Sequence, residues 1–276
     1  MLDLDCYKVT KVITQLKNRI KQDEVPALGA QLTYYLILSF FPFLIFLITI
    51  LSYTTFSSED FIVRLSTILP KQSFDIVYDV IKEVVDNGST SLLSFSIIGT
   101  LWSASNGVAA MIKGLNKSYN QNENRSFFKL RGYGILITIA LSLGIILAFT
   151  LLVFGEVLGN YIFNALGLSY YFKIFWNIVR LIFPIFLLIL VFILFYKFAP
   201  NKKLKIKDVF PGAIFSTFSW ITISLVFSYY VNNFSNYTKV YGSIGGIIIL
   251  LIWLYISSII VLIGGELNAT LSYVDD

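Results

Sequence analysis

Residues 28–54 read LGAQLTYYLILSFFPFLIFLITILSYT and contain no charged side chain. A helix of about 20 apolar residues crosses the hydrocarbon core of a bilayer, which is about 30 Å thick. This stretch is therefore long enough to be a transmembrane helix. It starts too late and runs too long for a cleaved signal peptide, so we expect it to stay in the mature protein.

Five further stretches of similar character follow along the 276-residue chain. We predict six spans, numbered one to six in chain order, at about 28–54, 91–112, 133–154, 176–198, 209–231 and 242–268. The composition agrees, because 57% of the residues are hydrophobic and only 13% are charged, against about 25% charged in a soluble domain. The prediction is an all-α, polytopic membrane helical bundle with residues 1–276 in a single membrane domain.

Two segments outside these spans also show helical patterns. Residues 7–22 place apolar side chains at helical spacing among five cations, which is typical of an amphipathic helix at a membrane surface. A solvated charge run is the alternative interpretation. Residues 55–90 are polar and repeat apolar side chains at helical spacing, so we predict short extracytoplasmic helices in this first loop.

Lysine and arginine are distributed unevenly between alternate loops. Residues 1–27, 113–131 and 197–207 hold fifteen of the 21 cations, whereas the other three loops together hold five. Positive side chains are retained on the cytoplasmic side of a membrane. The pattern therefore predicts the cytoplasmic (inner) membrane as the location, with both termini in the cytoplasm. Because the cations flank spans, we expect no nucleic-acid partner.

The sequence contains few of the residues that bind metals or carry out redox chemistry. It has no histidine, and Cys6 is the only cysteine, so the commonest zinc and haem ligands are missing and no intrachain disulfide can form. No Walker loop, GxSxG or HExxH motif is present. We expect no cofactor, no metal and no enzymatic activity.

Polar side chains recur on single faces of spans one, two and five. Polar groups in hydrocarbon need partners, so these faces should point into the bundle. They predict a cavity lining or substrate contacts, with ordinary hydrogen bonding between helices as the alternative. The candidates are Gln31, Tyr35 and Ser39 in span one, Asn106 in span two, and Thr217, Trp220 and Ser224 in span five.

Span six and the intramembrane charges supply the remaining candidates. Glu266 and Asn268 end span six, and Arg180 is an ionisable residue within span four. Such charges are functional candidates, although each could instead lie at the membrane interface. The predicted depths of Arg180 and Glu266 place them on opposite sides of the bilayer, so we do not expect a direct pair between them. For a helix kink or close helix packing the candidates are Pro42, Gly242, Gly246, Gly264 and Gly265.

Four ordered blocks carry a resemblance to a known family. They are Ala30-Gln31-Leu32-Thr33-Tyr34-Tyr35 with Ser39-Phe40-Phe41-Pro42; Leu101-Trp102-Ser103-Ala104-Ser105 leading to Leu115-Asn116-Lys117-Ser118-Tyr119 and Arg125; Pro211-Gly212-Ala213 with Trp220; and Tyr241-Gly242-Ser243 ending at Gly265-Glu266-Leu267-Asn268-Ala269. Over nearly its whole length the chain resembles the YihY/BrkB family of bacterial inner-membrane proteins. The resemblance implies six spans, and associations with virulence, serum resistance and envelope lipid handling. An old ribonuclease BN label also travels with that family.

Three hypotheses of function follow. The first is a transporter-like or lipid-handling bundle with an intramembrane polar cavity, whose partners are membrane lipids and whose substrate is a lipid or small molecule. The second is a non-transporting scaffold or regulator that acts through partners, and a homo-oligomer is compatible with either. The third is a membrane-bound hydrolase or nuclease, which the absent metal cluster disfavours.

Overall fold

The computed structural model describes residues 2–52, 78, 90–126, 128–140, 143–144, 170–234 and 245–275. Within these ranges the regular structure is entirely helical. The helices are α1 (Leu2–Gln22), α2 (Val25–Ser52), α3 (Thr90–Ser118), α4 (residues 128–140), α5 (Tyr170–Phe198), α6 (Ile206–Phe234) and α7 (Gly245–Asp275).

Two left-handed residues mark the ends of helices near the same end of the bundle. Glu24 has φ 54° and separates α1 from α2; Pro26 then lies in the first turn of α2, where its missing N–H costs nothing. Asn120 has φ 52°, and the Gln121 N–H donates to the Asn116 carbonyl at 2.8 Å. Asparagine tolerates this conformation better than most residues, so Asn120 ends α3 cleanly.

α7 is the central helix of the described bundle. It packs against α1, α2, α3 and α6, while α2 packs along α3 and α5 packs along α6. Buried apolar side chains of α3, α5, α6 and α7 form one core, which includes Ile112, Leu115, Tyr196, Ala213 and Val261.

Polar and apolar side chains are distributed as in a membrane bundle. Several polar side chains are buried, including Glu266 at 1% exposure and Thr217 and Asn268 at 0%. Large apolar side chains face outward, with Phe95 76% and Leu225 68% exposed. Such a surface is compatible with a surrounding of lipid and is unfavourable in water.

Two of the described helices, α6 over Ile206–Val231 and α7 over Gly245–Val274, are long and apolar enough to cross a membrane. Shorter apolar segments occupy Val25–Phe40 and Ile182–Phe198. The full count of six spans stays a prediction, because most of span three lies outside the described residues. The predicted helices of the first loop also lie outside them, apart from positions 78 and 90.

α3 and α7 run beyond the apolar stretches on which spans two and six were placed. α3 continues from 112 to Ser118, and α7 continues from 268 to Asp275. Residues 2–22 form α1, as the apolar spacing predicted. These polar extensions come together at one end of the bundle.

Candidate functional site

A cavity of about 290 Å³ lies between α2, α3, α4 and the connection that follows α3. α2 contributes Gln31 and Tyr35, one turn apart on the same face. α3 contributes Asn106, and the connection contributes Glu123. The full lining is Gln31, Tyr35, Asn106, Ala109, Ala110, Ile112, Lys113, Glu123 and Leu130. Three candidates from spans one and two therefore line one cavity.

Several polar groups of this lining are uncommitted. Among the described residues, no hydrogen bond or ion pair engages the side-chain amide of Gln31, the hydroxyl of Tyr35 or the ammonium of Lys113. The Tyr35 ring contacts the Tyr34 ring edge-on, with centroids 5.4 Å apart. The cavity consequently offers hydrogen-bonding groups that a bound molecule could use.

Asn106 is oriented by a cation from α4. Its Oδ1 accepts a short hydrogen bond from Nη1 of Arg131. The same guanidinium lies over the Trp102 ring, 4.3 Å from the centroid, and Nη2 donates to the Trp102 carbonyl at 3.3 Å. With its oxygen held in this way, Asn106 keeps its Nδ2 hydrogens for another acceptor.

Glu123 is held by a bidentate arginine. Arg125 donates from Nε to Oε1 at 2.7 Å and from Nη2 to Oε2 at 2.6 Å, and Asn116 Nδ2 donates to Oε2 at 2.7 Å. The hydrogen bonds from Arg125 hold the pKa of the Glu123 carboxyl below its usual value. Arg125 also donates to the Ala199 carbonyl at 2.8 Å, which ties this connection to the segment after α5.

A second polar cluster, on the other side of α3, centres on Glu266. Its Oε2 accepts from Arg19 Nε at 3.3 Å, and its Oε1 accepts from the Ser118 hydroxyl at 2.5 Å. Arg19 Nη2 also donates a short hydrogen bond to the Ser118 carbonyl. The carboxyl is 1% exposed and the Arg19 side chain 17% exposed. The ion pair thus joins α1 to α7, hydrogen bonds of Ser118 add α3, and Glu266 is not at an exposed interface.

Aromatic side chains cover this ion pair. Arg19 lies over the Tyr273 ring, 4.8 Å from its centroid, and the Tyr273 hydroxyl donates to the Tyr119 carbonyl at 2.9 Å. Burial raises the pKa of Tyr119, and its hydroxyl has no hydrogen-bond partner among the described residues. Lys202 lies over both rings, at 5.2 and 5.3 Å.

The predicted polar face of span five lies elsewhere, against α7. Trp220 Nε1 donates to Ser257 at 3.1 Å, and Trp253 Nε1 donates to Ser224 at 3.2 Å. Thr217 is buried and donates to the Ala213 carbonyl of its own helix. The structure therefore does not bring Thr217, Trp220 and Ser224 together with Gln31 and Asn106. The alternative interpretation, hydrogen bonding between helices, describes the contacts of Trp220 and Ser224, whereas Thr217 bonds within α6.

Asn268 also holds α6 against α7 and does not line the cavity described above. Its Oδ1 accepts from the Gly212 N–H at 2.6 Å, and its Nδ2 donates to the Val209 carbonyl at 3.2 Å. Gly264 lies opposite Gly212 at the same crossing, and Gly265 packs against Leu115. These glycines permit the close helix packing that the sequence predicted for span six.

The remaining candidates either pack within the bundle or lie outside the described residues. Ser39 is buried and donates to the Leu36 carbonyl of its own helix at 2.9 Å. Pro42 lies inside α2 opposite Gly99 of α3. Gly246 is in the first turn of α7, whereas Gly242 and the side chain of Arg180 lie outside the described residues.

Several residues that build these sites were not predicted from the sequence. Arg19 is one of five cations on α1, and nothing in its spacing distinguishes it from the others. Lys113 is one of five cations in residues 113–131, and no pattern in the sequence singles out Glu123. Ser118 and Arg125 did belong to a block that carried the family resemblance, and that block was the available signal.

Comparison with known proteins supplies the family. The family model described as virulence factor BrkB matches residues 16–276. The chain belongs to the BrkB family. Among its relatives, YfkH of Bacillus subtilis (strain 168), which is named as ribonuclease-like, is 41% identical over 94% of each chain. A UPF0761 membrane protein of Alteromonas mediterranea is 27% identical over 98% of this chain and 94% of its own. Another, from Tolumonas auensis, is 26% identical over 97% and 87%.

Family membership and the apolar helices together make this BrkB-family chain an integral membrane protein. No solved structure matches it. In the part of the chain that the structure describes, no group of three or more histidine, cysteine, aspartate and glutamate side chains could hold a metal ion.

Proposed function

We propose that this protein is a transporter-type or lipid-handling protein of the cytoplasmic membrane, and that the cavity between α2, α3 and α4 is its binding site. The cavity carries the proposal, because a bundle that only needed to pack would also pair Gln31 and Tyr35 across helices, as it pairs Asn106 with Arg131. Its volume of about 290 Å³ is close to the lower end of small-molecule sites, about 300 Å³. Its lining combines apolar and polar groups, as an amphiphile requires.

The transport proposal is tested by two variants that remove polarity at nearly constant volume, Gln31→Met and Asn106→Leu. In proteoliposomes with fluorescent phospholipids, we expect each to slow lipid movement about tenfold or more, because a hydrogen bond to a charged headgroup is lost. The measurement is the rate at which dithionite quenches lipid that starts in the inner leaflet.

Thr222→Val is the matched control, since Thr222 is exposed on α6 and lies outside the cavity lining. It should leave the rate unchanged. Normal rates in both cavity variants would favour the scaffold or regulator hypothesis, in which the protein acts through partners and the cavity is only a packing feature.

We also propose six spans with both termini in the cytoplasm. The contacts of the described helix ends support this topology. Lys117 donates to the Asp23 carbonyl, Arg19 pairs with Glu266, and Arg125 reaches Ala199. The three segments that positive charge assigns to the cytoplasm therefore meet at one end of the bundle, together with the C-terminal part of α7.

The single cysteine allows a direct test of this topology. In intact cells, a membrane-impermeant maleimide should leave Cys6 unlabelled until the membrane is permeabilised. With Cys6 changed to serine, Ser73→Cys in the first loop should label in intact cells, and Ser272→Cys near the C-terminus should not. Labelling of Cys6 or of Ser272→Cys from outside would reverse the proposed orientation.

Finally, we propose that the protein is not an enzyme, although its relative YfkH is named as ribonuclease-like. The absence of histidine from the sequence supports this, since metal-dependent nucleases commonly need such ligands. RNA cleavage by the purified wild-type protein, lost on changing an acidic residue, would contradict it.

A further inference from the structure

We propose that the cavity binds the phosphate group of an anionic amphiphile. This inference rests on the proposed function and names the chemistry of the substrate. It comes from the uncommitted polar groups of the lining, which can all donate hydrogen bonds, and from three cations in or beside the cavity. Phosphate oxygens accept hydrogen bonds and are bound by such sets of donors.

Lys113, whose side chain is exposed, supplies a positive charge without an ion-pair partner among the described residues. It is the only cation of the lining, and within the described residues its ammonium forms no ion pair. Lysine is a common point-charge ligand for phosphate. The position of Lys113, just past the predicted end of span two, is also where the headgroup of a cytoplasmic-leaflet lipid would lie.

Neutral donors line the same cavity as that ammonium. Arg131 holds Oδ1 of Asn106, so the Nδ2 group of Asn106 remains to donate. The Tyr35 hydroxyl and the Gln31 amide can donate as well, and both line the same cavity. One ammonium and three neutral donors match the several acceptor sites of a phosphate.

The only carboxylate of the lining, Glu123, is already compensated. Arg125 binds both of its oxygens, and Asn116 donates to Oε2. Lys113, Arg125 and Arg131 therefore place three positive charges in or beside the cavity against one negative charge. These charges favour an anion over a cation in the cavity.

The apolar part of the lining favours an amphiphile over a free ion as the ligand. Ala109, Ala110, Ile112 and Leu130 form an apolar wall next to the donors. A phosphate ester with hydrocarbon chains would use both surfaces, whereas inorganic phosphate would leave the wall unfilled. Both ligands present a phosphate group, and a binding experiment can distinguish the lipid from inorganic phosphate.

The test is equilibrium binding to purified protein in dodecyl maltoside. The probes are dioleoyl phosphatidylglycerol, dioleoylglycerol, which lacks the phosphate, and inorganic phosphate. We expect phosphatidylglycerol to bind at least tenfold more tightly than dioleoylglycerol. Lys113→Gln should weaken phosphatidylglycerol binding about tenfold. Lys113→Arg should retain most of the affinity, because the charge is kept.

Lys129→Gln is the matched control, since Lys129 is an exposed lysine of α4 outside the lining. It should change the affinity less than about twofold. Equal losses in Lys113→Gln and Lys129→Gln, or equal binding of dioleoylglycerol, would overturn the inference. Tight, Lys113-dependent binding of inorganic phosphate would support the phosphate site with a free ion as its ligand.

The two proposals can fail separately. If Gln31→Met slows lipid movement but Lys113→Gln leaves headgroup preference unchanged, the transport proposal stands and the phosphate inference is wrong. If phosphatidylglycerol binds through Lys113 but no lipid moves in proteoliposomes, the site is a lipid-binding site and the transport proposal is wrong.

Discussion

Replacing Arg19 by methionine is expected to lower the free energy of unfolding by about 3–5 kcal/mol, as when one partner of a buried ion pair is removed. The Glu266 carboxyl is 1% exposed and would keep only the Ser118 hydroxyl as a side-chain donor. A carboxylate left in such a site must either stay charged without its counter-ion or take up a proton. Unfolding of the purified protein by sodium dodecyl sulfate in mixed micelles would measure the loss.

Two further variants isolate the ion pair from the general effect of changing α1. Lys17→Met replaces an exposed cation of the same helix and should change stability by less than about 0.5 kcal/mol. The double variant Arg19→Met with Glu266→Met should recover most of the loss, because both buried charges are gone. A loss for Arg19→Met as small as for Lys17→Met would show that the pair does not hold α1 on the bundle.

The helices were predictable from the sequence, but the places where they end were less so. Hydropathy detects where a chain leaves hydrocarbon, so it predicts that spans two and six end at Ile112 and Asn268. A helix ends where its backbone conformation changes, and α3 continues to Ser118, just before the left-handed Asn120. The last turns of α3 and α7 hold Ser118 and Tyr273, which hydropathy could not assign to a helix.

The candidate cavity was only partly predictable. Gln31 and Tyr35 were found because helical spacing places them on one face. The same reasoning selected Trp220 and Ser224, which instead join α6 to α7. A polar face on a single helix does not reveal whether its neighbour is a helix or a cavity. The Arg19–Glu266 contact joins residues 247 positions apart, so no local pattern contains it.

Gly212→Ala is expected to destabilise the protein by about 3 kcal/mol, at the upper end of the usual cost of overpacking. A β-carbon on Gly212 would overlap the backbone carbonyl oxygen of Gly264 and the side-chain amide of Asn268. A backbone atom in the middle of α7 cannot rotate away, so α6 and α7 would have to separate. Separation would also break the hydrogen bond from the Gly212 N–H to Asn268. Mixed-micelle unfolding would measure this change as well.

Gly132→Ala is the matched control, because a β-carbon there would meet nothing within 4 Å. Alanine is the better helix former, so this variant should be neutral or stabilise α4 by up to about 1 kcal/mol. Gly264→Ala should be intermediate. Its β-carbon would overlap the buried hydroxyls of Ser216 and Tyr196 and break the hydrogen bond between them, whereas the Gly212 carbonyl, at 3.0 Å, would need only a small shift. The expected loss of stability therefore decreases in the order Gly212→Ala, Gly264→Ala, Gly132→Ala, according to what each β-carbon would contact. Equal costs would instead point to helix propensity alone, and the α6–α7 crossing would then be looser than its contacts indicate.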